Sequence, residues 1–177
     1  MLVVTTSVCK KGHLTKTMAN TMSRDAVRDL CIKSLKNASL GEDEKSIQDG
    51  KDFYKNMFGK HPELRTYFKG AEKFTPDDVQ ASERFAKQGQ RILLGVHLIA
   101  RVYDDPATFH AYARETVNRH RIFKMDPSLW KGFFPVLLEY LRTKTQVDKE
   151  TEEAWNILGE DFGNECLKHL KNLGLPH

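Results

Sequence analysis

Three polar side chains fall on helical stripes that are otherwise largely apolar. Gln88 lies three residues after Phe85 and four before Ile92. His120 closes a stripe through Phe109, Tyr112, Ala113 and Thr116, and Tyr54 shares one with Ile47, Met57 and Phe58. A polar group taken out of water costs free energy unless it finds a partner, so three aimed at one core point to a polar ligand or to one another. The chemistry differs among them. A phenol and an amide donate hydrogen bonds, whereas an imidazole can also bind a metal. One imidazole in an apolar slot is enough to hold a haem iron; a histidine simply satisfied in the core is the bland alternative.

The remaining histidines (His13, His61, His97, His110, His169 and His177) form no HxxxH or HExxH pattern, so a multi-histidine metal site has no support. Cys9, Cys31 and Cys166 make no CxxC pair, zinc pattern or CxxCH haem attachment. They read as free thiols in a reducing, cytoplasmic setting, with Cys31 and Cys166 as small buried hydrophobes.

Two glycines add geometry. Gly50 precedes Tyr54 by four residues and Gly89 directly follows Gln88. Gly inside a helix costs about 1 kcal/mol against Ala, which implies a packing reason. If the two meet, two helices cross closely and bring Tyr54 and Gln88 over one pocket.

The elements that must position these residues have a helical period from Ser23 onward. Ser23 caps a first helix with Val27, Leu30, Cys31 and Leu35 on one face, and a second is expected from about Glu42 to Gly59. Pro62 opens a short turn-like segment to Phe68. Thr75-Pro76-Asp77-Asp78 reads as cap, first-turn proline and acidic turn of a long helix through Phe85, Gln88, Ile92, Val96 and Ile99. Asp105-Pro106 and Asp126-Pro127 repeat the signal, the second ahead of a stretch in which Pro135 predicts a kink or a late start. A last helix, about Asp148 to Leu173, lines up Ala154, Leu158, Phe162 and Cys166. No run alternates with period two. The fold class is all-α, with seven or eight helices.

At 177 residues and 40% hydrophobic, the chain can bury one domain's core, and it has no apolar run long enough to span a bilayer. Residues 1–24 hold Lys10, Lys11, Lys16 and Arg24 and no acid; the rest carries 24 basic and 24 acidic residues. A neutral body with one short basic tail is a poor footprint for nucleic acid. Residues 1–22 are expected to form a disordered tail, or an over-extended start, and residues 23–177 the folded domain. A transit-like role for the tail is weakly supported, and a secretory signal is not.

These residues match a known pattern. From about Arg24 to Leu173 the chain resembles a globin, specifically the intracellular or body-wall globins of nematodes. The blocks FAKQGQRILL (Phe85–Leu94), NRHRIFKMDP (Asn118–Pro127) and YFKGAEKF (Tyr67–Phe74) carry the resemblance. It implies a globin fold around one haem pocket, with His120 as the proximal ligand and Gln88 as the distal residue. Pro62 and Phe68 correspond to the short helix and the phenylalanine that packs on the haem, Tyr54 to the distal tyrosine, Gly50 and Gly89 to the close-crossing pair, and Ile92 to the apolar residue beside the ligand. Two positions depart from the common pattern: Gln88 stands where many globins have His, and Thr116 where Leu is common.

The implied cofactor is haem b (iron protoporphyrin IX), held by coordination and apolar contact alone. Phe68, Phe85, Ile92, Met125 and Trp130 would wall the slot, the Thr116 carbonyl would accept from His120 Nδ1–H, and Arg91 would pair with a haem propionate or stand as a solvated charge. The implied function is reversible binding of O2 for storage, facilitated diffusion or scavenging, with other diatomic gases as further ligands. Tyr54 and Gln88 would give high affinity by hydrogen bonding. The alternative is a haem redox enzyme or sensor on the same scaffold: nitric oxide dioxygenase, nitrite reductase or peroxidase-like. Turnover would need a reductase, and no Gly-rich nucleotide fingerprint is present to supply one. No membrane or nucleic-acid partner is expected, and a homodimer stays open.

Overall fold

The computed structural model describes residues 22–177; the expectations for the tail and Cys9 lie outside them, apart from Met22, which packs half-buried against the core. Among the described residues there are seven α-helices, three short 3-10 turns and no strand. The helices are α1 (Arg24–Ser34), α2 (Glu44–Lys60), α3 (Pro76–Ala81), α4 (Glu83–Arg101), α5 (Pro106–His120), α6 (Leu129–Lys144) and α7 (Lys149–Asn172). None is long and apolar enough to cross a membrane.

Local chemistry sets most of their starts. The Ser23 hydroxyl accepts from Ala26 N–H, Asp43 from Ser46, Asp105 from Ala107 and Thr108, and Asp148 from Thr151. Each satisfies backbone donors that the helix leaves open at its N-terminus. Thr75 and Asp78 form a reciprocal capping box at α3.

That helix does not run on as the periodicity predicts. It stops at Ala81, Ser82 is extended (φ −91°, ψ 120°), and α4 begins at Glu83. Val79 and Phe85 are both fully buried. Six residues of unbroken helix would rotate them about 120° apart, at roughly 100° per residue, so the break lets both face the core. Pro135 is the second difference. The helix α6 starts at Leu129, after a turn in which Asp126 accepts from Ser128 N–H at 2.8 Å, and continues past Pro135. The proline is exposed, on the face away from the core.

Helix α7 packs against α1, α5 and α6, while α2 crosses α4 and also touches α3 and α6. The α2–α4 crossing is very close: a Cβ on Gly50 would stand 2.7 Å from the Gly89 carbonyl carbon. Only two glycines allow it. By contrast α4 and α5, the helices that carry Gln88 and His120, do not pack face to face. They approach at Gly95, where an added Cβ would lie 3.3 Å from the Tyr112 hydroxyl. Gln88 is seven residues back from that contact and His120 eight residues on, about 10–12 Å of helix, so both lie beyond the point of approach, away from the α4–α5 connection.

Candidate haem site

His120 ends α5. Its Nδ1 lies 2.8 Å from the carbonyl oxygen of Thr116, one turn earlier. A carbonyl can only accept, so Nδ1 carries the proton and, in the neutral ring, Nε2 keeps its lone pair. Nε2 has no hydrogen-bond partner among the described residues. The Thr116 hydroxyl donates to the Tyr112 carbonyl at 2.8 Å, which ties the same turn together. Edge-on contacts from Trp130 (5.8 Å between centroids) and Phe123 (5.9 Å) hold the imidazole plane.

The expected distal residues lie on α4 and on α2, which packs against it. Tyr54 is 7% exposed and its ring meets Phe53, Phe58, Phe68 and Phe85 at centroid distances of 5.0–6.3 Å. Burial pushes the phenol's pKa up, partly opposed by the positive charges of Arg84 and Arg91, so Tyr54 stays a neutral O–H donor at physiological pH. Those two arginines flank Gln88 on α4, which places the hydroxyl in the field of the segment that carries the amide. Gln88 is half-buried, and its Oε1 accepts from Arg84 Nε at 3.1 Å.

The other expected wall residues divide. Phe68, Ile92 and Met125 are half-buried against the core, and Trp130 is 7% exposed beside His120. Phe85 is fully buried at the centre of an aromatic cluster with Tyr54, Phe58, Phe68 and Phe74. Arg91 is exposed, makes no ion pair among the described residues, and borders a surface hollow with Leu40, Ile47, Lys87 and Leu94. Sequence reasoning passed over Arg84 and Phe123. Arg84 had a signal, its position one turn before Gln88 on the same face; Phe123 lies in an irregular turn where no period applies.

The features fit a haem. One imidazole offers a free lone pair, the surrounding side chains are apolar, and Ile122 and Phe123 beside His120 expose 73% and 49% of their surface, apolar area that a flat hydrophobic group can cover. No cluster of three or more potential metal ligands occurs among the described residues.

An all-helical domain that carries one imidazole with a free Nε2 among aromatic side chains has what a single-histidine haem protein needs. The comparisons narrow the class. The globin family model matches residues 51–166. A globin-like protein of Caenorhabditis briggsae is 52% identical over 88% of this chain and 98% of its own length. The myoglobin of Ascaris suum is 51% identical over 83% of this chain and 97% of its own. The solved structure of the globin-like protein GLB-1 of Caenorhabditis elegans superposes with a TM-score of 0.88 at 50% identity, covering 89% of this chain and 99% of that one. The chain belongs to the globin family. That membership supports haem-based oxygen binding as its general activity.

Proposed function

We propose that this protein holds haem b non-covalently and binds dioxygen reversibly with high affinity, for storage, facilitated diffusion or scavenging. The observation that carries the reading is the 2.8 Å contact from His120 Nδ1 to the Thr116 carbonyl, which leaves Nε2 as the metal ligand. The same hydrogen bond fixes the ring's tautomer and raises its basicity as a ligand. When bound, haem would supply the iron for reversible dioxygen binding, chemistry in which the gas becomes a hydrogen-bond acceptor.

The remaining work falls to the chain. Phe68, Ile92, Met125 and Trp130 give the slot its apolar contact, and the aromatic cluster around Phe85 keeps water from Tyr54. We assign Arg91, exposed and outside any described ion pair, to a haem carboxylate. The Tyr54 hydroxyl and the Gln88 amide act as donors to the gas. A hydrogen bond to a charged acceptor is worth roughly 1.5–3 kcal/mol, or about 10- to 150-fold in affinity. Carbon monoxide carries less negative charge and gains less from the same donors. Donors of this kind act mainly by slowing release. The free, buried thiols of Cys31 and Cys166 support a reducing, cytoplasmic setting.

The test is the optical spectrum of the reduced, haem-loaded protein in air, followed over hours. A persistent two-banded oxygenated spectrum is expected. Rapid conversion to the ferric form would favour a redox enzyme or sensor, and no Soret band would make His120 a core histidine.

A further inference from the structure

The orientation of Gln88 is set by a neighbour. Arg84, one turn earlier on α4, donates from Nε to Gln88 Oε1 at 3.1 Å and from Nη1 to the Lys69 carbonyl at 2.8 Å. Its guanidinium carbon lies 5.6 Å over the Phe85 ring. A guanidinium has donors only, so the end of the amide that faces it must be the carbonyl, and the planar NH2 is turned elsewhere. That NH2 has no hydrogen-bond partner among the described residues. Lys69 sits on the connection between the 3-10 turn Pro62–Tyr67 and α3, so the one side chain joins α4 to the segment that follows Phe68.

We propose that Arg84 is a positioning residue for ligand binding: it latches α4 to the Lys69 carbonyl and holds Gln88 by its oxygen, so that the amide offers the slot donors and no acceptor. The inference rests on the reading of Gln88 as a donor to the bound gas. Without the latch the amide can rotate and present its oxygen, which repels a ligand carrying negative charge. The arrangement therefore selects gases that accept hydrogen bonds. A flexible lysine at the same place has no rigid fork to bridge both carbonyls.

A double-mutant cycle tests it on the haem-loaded protein, using Arg84→Ala, Gln88→Leu and the combination. Three readouts are taken: the oxygen dissociation rate, the C–O stretching band of the carbon monoxide complex, and hydrogen exchange in the segment Tyr67–Phe74. Arg84→Ala should release oxygen roughly three- to tenfold faster, the equivalent of weakening one hydrogen bond to a charged acceptor. In the Gln88→Leu background the same change should alter the rate less than about 1.5-fold, since there is no amide left to position. The C–O band should shift in Arg84→Ala only where Gln88 is present. Exchange in Tyr67–Phe74 should quicken in both backgrounds, because the Lys69 anchor is lost in both.

An equal rate change in the two backgrounds, or none in either, would overturn the latch; so would unchanged exchange in Tyr67–Phe74. A Gln88→Leu protein that releases oxygen at the original rate would overturn the donor role of Gln88 itself, and the latch with it. The two failures are thereby told apart. Arg84 is exposed, and its removal leaves the core untouched.

Discussion

Gly50 and Gly89 meet backbone against backbone where α2 crosses α4. A Cβ on Gly89 would stand 2.3 Å from the Gly50 carbonyl carbon, closer than any real carbon contact allows. Because the obstruction is backbone, no side-chain rotation can relieve it. The contact fixes how near α2, with Tyr54, comes to α4, with Gln88. Gly89→Ala is expected to destabilise the protein by about 2–4 kcal/mol, above the usual range for overpacking because two helices must separate. Denaturant unfolding measures this, and a cost below about 1 kcal/mol would mean that the helices part easily. The same variant should release oxygen faster, as the two donors move apart.

His120→Gly should leave a helical protein without haem, as the slot then has no metal ligand. Added imidazole should restore a Soret band by occupying the vacated volume. Haem retained at full strength without imidazole would show that another residue holds the iron.

Tyr54→Phe removes one hydroxyl and leaves the aromatic packing with Phe58, Phe68 and Phe85 intact. Oxygen dissociation should quicken at least about tenfold, the low end for one hydrogen bond to a charged acceptor, while carbon monoxide release barely changes. Stopped-flow displacement reads both rates, and an unchanged oxygen rate would remove Tyr54 from the mechanism.

Asp49, directly before Gly50 on α2, is a buried carboxylate. Burial alone would push its pKa up, but donors from Lys45 (2.7 Å), Ser39 N–H (2.9 Å) and Lys144 (2.9 Å) outweigh that and hold it below the usual carboxylate range. A depressed folded pKa means stability that is full above the unfolded value, about 3.9, and lost as pH falls through the folded value. Asp49→Asn should therefore cost about 2–4 kcal/mol at pH 7. The gap between variant and parent should begin to narrow below about pH 4, where the unfolded chain's carboxylate takes up a proton, and should close only as pH falls through the lower folded value. Urea midpoints at pH 7 and pH 3 test the sign.

Much of the fold is legible in the chain because its signals are local. Ser23, Thr75, Asp105 and Asp148 announce helix starts within three or four residues of themselves, and all four hold. The 3.6-residue period places Val27, Tyr54, Val96 and Leu158 inward without reference to any distant residue. The hydrogen bond from His120 to the Thr116 carbonyl was equally readable, since it spans one turn of one helix.

What the period could not register is the break at Ser82, for neither Gly nor Pro marks it. It exists because Val79 and Phe85 must both reach a core built by other helices. Nor does any local pattern orient Gln88, whose carbonyl is held by Arg84 while Arg84 is held by Lys69, fifteen residues away.

The sequence by itself thus determined the class of fold, four of the helix starts and the three polar residues that break the apolar faces. Only the tertiary structure decided that α4 and α5 approach at Gly95 and Tyr112 without packing along their length, and that Arg84 takes the carbonyl end of the Gln88 amide. Helical period and capping act over a few residues of covalent chain. The width of a slot and the direction of a donor depend on contacts between segments that meet only once the chain has folded.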